Sequence, residues 1–318
     1  MKHIVFYSGG IGSWMTANRV IEKHGKNDIV LLFTDTLIED KDLYRFMLDT
    51  FQNTFSGDVA FLKKKINKLP DIKPEMTEED WLKRKIILIE VSHIVNKMYS
   101  QVTWIADERT PWEVFKDTRF LGNSRLAKCS HLLKQDTAKK WLESSYKSDE
   151  CVLYLGIDWT EMHRTKSPVK NWAPYKVEFP MTKKPYLAKQ DMLNELKRDE
   201  IEVPRLYKLG FSHNNCSGMC VRGGQAHFLN LIKHFPERFD WLEQYEKDMR
   251  TYLGSDVSIL SKQISDGFKL KEVSGELIKV PQYKKIPFTL SEFKEEYKRG
   301  GEQLDLFDFG GCGCMVDY

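Results

Sequence analysis

Short apolar runs alternate with longer stretches whose apolar positions recur at helical spacing, and this alternation organises the first half of the chain. Ile4-Val5-Phe6-Tyr7 predicts a short buried strand. Trp14, Ala17, Val20 and Ile21 then mark a helix that Gly25 stops. Ile29 to Phe33 is nearly all apolar, the pattern of a strand covered on both faces, and it ends in Thr34-Asp35-Thr36. Asp40 is placed to cap a helix whose buried stripe is Leu43, Phe46, Met47 and Phe51. Val59 to Leu62 reads as a short strand, Asp80 to Met98 as a long helix, and Val102 to Ala106 as a strand. Cys151 to Gly156 is the clearest later strand. Such alternation predicts an α/β fold, a doubly wound and mainly parallel sheet. From about Arg222 the character changes. Ala226, Leu229, Ile232 and Phe235 make one helical face, and Pro236 starts a helix with Trp241, Leu242, Tyr245 and Met249. Residues 254–287 show weak periodicity and many lysines, so they read as irregular. The expected division is a nucleotide-binding domain over 1–235 and a helical and irregular extension over 236–318.

Between the first strand and the first helix lies Ser8-Gly9-Gly10-Ile11-Gly12-Ser13. A glycine-rich turn that opens a helix offers unpaired backbone N–H groups and the positive end of the helix dipole, which suits phosphate. Ser8 and Ser13 add hydroxyls, and the glycines let backbone approach an anion closely. Neither the Lys-Ser/Thr ending of the P-loop nor the Rossmann glycine spacing is present. A tight strand-to-helix turn without a ligand is the alternative. Ligands in parallel sheets sit at the carboxyl ends of the strands, where this turn, Asp35 and Asp158 all fall.

Composition changes this picture little. The chain has 318 residues, 41% of them hydrophobic and 30% charged, with a formal net charge of only +3, so bulk charge does not mark a nucleic-acid binder. Lys63-Lys64-Lys65, Lys139-Lys140 and Lys183-Lys184 read as solvated faces, and Trp104, Trp112, Trp159 and Trp172 as core more than as base-stacking platforms. No apolar run is long enough to span a membrane and no signal-peptide layout opens the chain, so a cytoplasmic location is expected. In that compartment six cysteines argue for metal binding or catalysis more than for disulfides.

The turn resembles the SGGxDS signature of the PP-loop superfamily, the adenine-nucleotide α-hydrolases, with Gly12 in place of the aspartate. In members that cleave ATP that aspartate belongs to the pyrophosphate site, so the resemblance implies nucleotide binding more firmly than ATP cleavage. Phe33-Thr34-Asp35-Thr36 is similar to the strand end beside the adenosine in phosphoadenosine-phosphosulfate (PAPS) reductase-like proteins. Gly156-Ile157-Asp158, with Glu161, His163 and Arg164, resembles another segment of that family, although Asp158 replaces its arginine. Arg164 is the better candidate for an oxyanion contact, because guanidinium binds oxyanions bidentately. Pro204 to Phe211 followed by Cys216, and Cys129 to Lys134, match further family segments in order. Arg119, Asn123, Arg125 and Lys134 place cations and an amide near Cys129 in sequence. The set most resembles PAPS-reductase-like proteins common in bacteriophage genomes, which implies a PP-loop fold and, as cofactor, ATP or another adenine nucleotide, with PAPS or adenylylsulfate included.

Cys216 and Cys220 are close in sequence around Gly218, and Cys312 and Cys314 flank Gly313 near the C-terminus. With Cys129 they make five thiols, of which four would complete a zinc site or an iron–sulfur cluster. The resemblance places Cys129, Cys216 and Cys220 in the core of such a site. Unliganded loop thiols are the bland alternative. Cys151, inside a strand, reads as packing. The tail pair has a rival role as a swinging nucleophile, yet the tail motif of PAPS reductases is missing. Cys129, Cys312, Cys314 and Arg164 are thus the catalytic candidates. The nucleotide candidates are Ser8, Gly9, Gly10, Gly12, Ser13, Asp35, Thr36, Gly156 and Asp158. The expected activity is nucleotide-dependent sulfur transfer to a nucleic acid or nucleotide, or reduction of a sulfonucleotide. The alternatives are an ATP pyrophosphatase, and a non-catalytic nucleotide-binding module with structural zinc. Implied partners are a nucleic-acid acceptor, a thiol or sulfur donor protein, and a second copy in a homodimer.

Overall fold

The computed structural model describes residues 1–273 and 276–300, together with Leu304 and Asp308. The chain begins with β1 (Lys2–Phe6), α1 (Ile11–His24), β2 (Ile29–Asp35) and α2 (Lys41–Phe55). Asp40 caps α2 as expected, its Oδ1 accepting from the Asp42 amide at 2.9 Å, and Leu43, Phe46, Met47 and Phe51 are buried. The next segment corrects the sequence reading. Val59 to Leu62 is no strand: Val59 precedes α3 (Ala60–Asn67), and burial of Val59, Leu62 and Ile66 follows helical spacing. Next come α4 (Glu78–Met98), β3 (Val102–Ala106) and α5 (Pro111–Asp117). A π-helical turn over Ser130–Asp136 runs directly into α6 (Thr137–Ser145). The sheet is completed by β4 (Cys151–Tyr154) and, after α7 (Lys166–Asn171), by β5 (Lys176–Glu178).

These five strands form one parallel sheet in the order β3-β2-β1-β4-β5. Alternate residues of β1 and β2 feed opposite faces. Val5, Leu31 and Phe33 pack with α1, α2, α3 and α4, whereas Ile4, Val30 and Leu32 pack with Ala138 and Leu142 of α6. Burial on both faces is what the near-continuous apolar strands predicted. The order reverses between β1 and β4, so their carboxyl ends diverge and leave a crevice there.

Beyond the sheet lie α8 (Lys189–Arg198), α9 (Arg205–Lys208), α10 (Gln225–His234) and α11 (Pro236–Leu253). Two antiparallel strands, β6 (Leu260–Val273) and β7 (Glu276–Phe288), precede α12 (Leu290–Lys298). The stretch read as irregular is therefore a long hairpin. Its alternation was hidden because solvent bathes both faces over most of its length. A second core gathers Ile38, Phe115 and Leu133 with Phe228, Phe239 and Phe293. Asp40 ties the same regions together, pairing with Arg205 and Arg238, each at 2.7 Å. Burial opposes ionisation of Asp40, but the two guanidiniums outweigh it and hold the carboxyl below its ordinary range. Among the described residues no helix is long and apolar enough to cross a membrane.

Candidate functional site

The crevice between β1 and β4 is a cleft of about 160 Å³ lined by Ser8, Gly10, Gly12, Ser13, Gly156 and Arg164, with Glu161, Tyr207, His213, Asn214 and Asn215. Gly9 bends the chain at φ +74°, where a Cβ would lie 2.8 Å from Leu43, so only glycine suits that position. Gly10 then caps α1 without a side-chain bond, and no acidic residue sits in the first helical turn. The N-terminal dipole of α1 therefore faces the cleft unneutralised. Ser13 Oγ donates to the Gly10 carbonyl at 2.8 Å and accepts from the Ser8 amide at 3.2 Å, which holds the turn closed on itself. Gly156 sits against that turn: a Cβ there would come within 3.2 Å of the Gly12 carbonyl and the Ser13 amide. This contact is the physical reason that two glycines face each other across the switch point.

Several side chains complete the cleft. Tyr207 accepts from the Ile11 amide at 3.3 Å. Asn214, 1% exposed, donates to the Gly9 carbonyl at 3.1 Å, and among the described residues its Oδ1 has no hydrogen-bond partner. Arg164 meets Glu161 at 2.5 Å. Burial pulls the His213 imidazole down to about 4, and the charges of Lys189 and Arg164 push in the same direction. At neutral pH His213 is therefore neutral, and Arg164 carries the positive charge of the cleft wall.

Three predicted nucleotide residues, Asp35, Asp158 and Thr36, lie elsewhere, and Gly9 bends the turn without lining the cleft. Asp35 is fully buried and does not line the cleft. Its Oδ1 accepts from the Leu37 amide and the Tyr44 hydroxyl, each at 2.8 Å, and its Oδ2 from the Trp104 indole at 3.0 Å. Burial and the neighbouring Glu39 carboxylate raise its carboxyl to about 6, against those three donors. Asp158 is spent on a local cap, accepting from the Thr160 amide at 2.7 Å and its hydroxyl at 2.6 Å. His163 is exposed.

Thr36 lines a second, smaller cavity, together with Cys129, Cys216 and Cys220, so three of the five cysteines do converge. This chamber holds about 20 Å³, and Ile38, Trp112, Phe115 and Met219 make its walls largely apolar. Cys129 immediately precedes the π-helical turn, a widening of the helix that is frequent at functional sites. Cys216 and Ser217 both adopt left-handed backbone, φ +53° and +54°, which costs each of them on the order of 1–3 kcal/mol. Neighbours impose this conformation. The Cys216 amide donates to Glu39, Ser217 Oγ to the Ile38 carbonyl at 2.6 Å, and His227 Nε2 to the Gly218 carbonyl at 2.7 Å. Glu39 also accepts from Thr36 Oγ1 at 3.0 Å and lies 3.5 Å from Lys134, both charged groups being buried. The Cys216 thiol is raised well above its usual value, first by its hydrogen bond with Cys220 and then by burial and Glu39, while Lys134 opposes the rise.

Of the cations placed near Cys129 in sequence, only Lys134 lines the chamber. Arg119 lies over the Tyr252 ring, and Asn123 accepts from the Arg125 and Leu126 amides in its own turn. Glu39, Asn214 and His213 escaped the sequence reading. The signals in hand were the Asp-Thr-x-x-Glu run after β2 and the Asn pair directly before Cys216. Among the described residues no group of three or more His, Cys, Asp or Glu side chains that could hold a metal ion is found. Cys312 and Cys314 lie outside the described residues. No protein-family model and no curated protein matches this chain.

Proposed function

We propose that the chain is a nucleotide-dependent enzyme of sulfur chemistry, binding an adenine nucleotide in the β1–β4 crevice. The phosphates take the α1 N-terminus and the Arg164 guanidinium, and the Asn214 carboxamide faces the ligand. The carrying observation is the adjacency of two unlike cavities along one chain segment: Asn214 and Asn215 line the crevice, and Cys216, the next residue, lines the thiol chamber. A nucleotide in the first would sit beside thiols in the second, which is what transfer of sulfur to an activated acceptor, or reduction of a sulfonucleotide, requires. Sulfur transfer is the preferred reaction, with a nucleic acid or nucleotide as acceptor. Gly12 leaves the helix start without a carboxylate, so the reading rests on nucleotide binding and thiol chemistry, not on pyrophosphate stabilisation.

Calorimetric titration of the full chain with ATP, AMP and PAPS tests the first half. Saturable binding that weakens at least about tenfold in Arg164→Ala supports it, and no binding of any of the three refutes it. Acceptor thiolation or sulfite release that disappears in Cys129→Ser tests the second half. Nucleotide binding without either product would leave a binding module instead of an enzyme.

A further inference from the structure

The β6–β7 hairpin is a long element that the proposed function does not use. Its base is anchored, with Leu260 and Phe288 buried in the second core. Past that base, among the described residues, the two strands pack chiefly on each other. Strands of 14 and 13 residues give an arm of about 40 Å at the usual rise per residue. The register pairs Phe268 with Pro281, Leu270 with Lys279, Glu272 with Leu277 and Ser265 with Tyr283, which puts all these residues on one face. Phe268, Leu270, Leu277 and Tyr283 are 61%, 66%, 68% and 61% exposed, a strip of four large apolar side chains in solvent. Lys269 and Lys271 occupy the opposite face, paired with Val280 and Ile278. Six lysines, at 262, 269, 271, 279, 284 and 285, stand against Asp266, Glu272 and Glu276. The arm's excess of three positive charges equals the formal net charge of the whole chain, +3.

An isolated two-stranded ribbon is marginally stable in water, and an exposed apolar strip of this size marks an interaction surface. Charge selects the occupant. A second copy of the arm would set one positive excess against another, whereas a polyanion neutralises it. A two-stranded ribbon also has the width that a duplex major groove admits, and exposed aromatic rings give unpaired bases a stacking platform. We propose that the β6–β7 arm is a nucleic-acid-binding surface, its lysines on phosphates and its Phe268–Tyr283 strip against bases or groove walls. At about 40 Å it spans on the order of twelve nucleotide steps. This deepens the sulfur-transfer reading by making its acceptor a polynucleotide, yet it rests only on the arm's own geometry and charge.

Fluorescence anisotropy with the full chain tests it, using fluorescein-labelled duplex DNA and single-stranded DNA, each longer than the arm. The wild type should bind with an affinity that falls steeply between about 50 and 200 mM salt. The triple variant Lys269→Glu/Lys271→Glu/Lys279→Glu should weaken binding at least about tenfold and lower the salt slope by about three. Phe268→Ala/Tyr283→Ala should weaken the single strand more than the duplex if bases stack on the arm, and both alike if the ribbon lies in a groove. Unchanged binding in both variants, or none by the wild type, overturns the proposal. So does a concentration-dependent dimer in sedimentation that Leu270→Ser/Leu277→Ser dissociates while nucleic-acid affinity stays unaltered. Nucleotide titration of the triple variant separates the two readings: retained nucleotide binding with lost DNA binding confirms an independent arm. Loss of both signals a misfolded variant, and Lys262→Gln/Lys285→Gln, milder and nearer the base, then decides by the same salt-slope criterion.

Discussion

The crevice and the thiol chamber lie at the ends of neighbouring strands, yet they differ in size and in what lines them. The crevice, a cleft of about 160 Å³, mixes turn backbone and polar side chains with Phe6, Leu155 and Ile157; the chamber holds about 20 Å³ between largely apolar walls. Electrostatics diverge in the same way. The crevice has the helix dipole and an Arg164 paired with Glu161 on its wall, while the chamber is lined by Lys134, which pairs with the buried Glu39, and by Arg222. The hydrogen bond with Cys220, burial and Glu39 keep the Cys216 thiol protonated, whereas the helix dipole at the crevice suits an anion. The segment Asn214–Cys216 runs from one cavity into the other.

The largest expected effect tests whether the chamber depends on its buried pair. Glu39→Ala removes the carboxylate beside Lys134 and the acceptor of both the Cys216 amide and Thr36. Breaking a buried pair costs about 3–5 kcal/mol, so denaturant unfolding should show a loss of that order. A loss below about 1 kcal/mol would mean that the left-handed Cys216–Ser217 backbone is held by its other bonds alone. The matching change in the crevice is Arg164→Ala. It should leave stability nearly intact and weaken nucleotide affinity by about 1.5–3 kcal/mol, on the order of 10- to 100-fold. Should the two variants exchange phenotypes, the contrast between a structural chamber and a binding crevice collapses.

Much of the contrast was legible in the sequence. The glycine turn, Arg164 and Gly156 meet where the alternation of strands and helices puts them, and Cys129, Cys216 and Cys220 converge although 87 residues separate the first two. What could not be read was direction. Asp35 stands at a strand end, as expected, but Tyr44 and Trp104 take its carboxylate inward, and the Phe-Thr-Asp-Thr pattern carries no trace of either partner. The hairpin was missed for another reason. Periodicity reports burial, and an arm with two wet faces has little to report.

His213 sharpens the comparison through pH. In the free protein its imidazole is lowered to about 4 from an ordinary 6.5, so it is neutral at pH 7. Phosphate in the crevice would raise it, and binding would then take up a proton. Affinity should therefore rise as pH falls from about 7 toward 5, by no more than about tenfold, and the rise should be missing in His213→Gln. Sign matters for stability as well. A histidine with a depressed folded value favours the folded state above its unfolded value of about 6.5, and that contribution is lost as pH falls through about 4. Glu246 in the second core works in the opposite sense. Burial raises it to about 7 despite donors from Ile259 and Leu290, so its contribution is present below about 4.5 and lost as pH rises through 7. Melting curves of Glu246→Gln should lose that slope, while nucleotide affinity stays unaltered.

The smallest effect bears on whether the crevice needs glycine at every position where it has one. A Cβ on Gly12 would meet only the Gly156 carbonyl, at an ordinary 3.5 Å, whereas a Cβ on Gly156 would press on turn backbone at 3.2 Å. Gly12 lies inside the first turn of α1, where alanine is the better helix former. Gly12→Ala should therefore stabilise the protein by about 0.5–1 kcal/mol and leave nucleotide affinity within about threefold. Gly156→Ala, pushing the turn, should reduce affinity more than Gly12→Ala does. If Gly12→Ala instead removes binding, the ligand approaches closer to the helix start than the cleft geometry requires, and the missing side chain at residue 12 is itself a contact surface for phosphate.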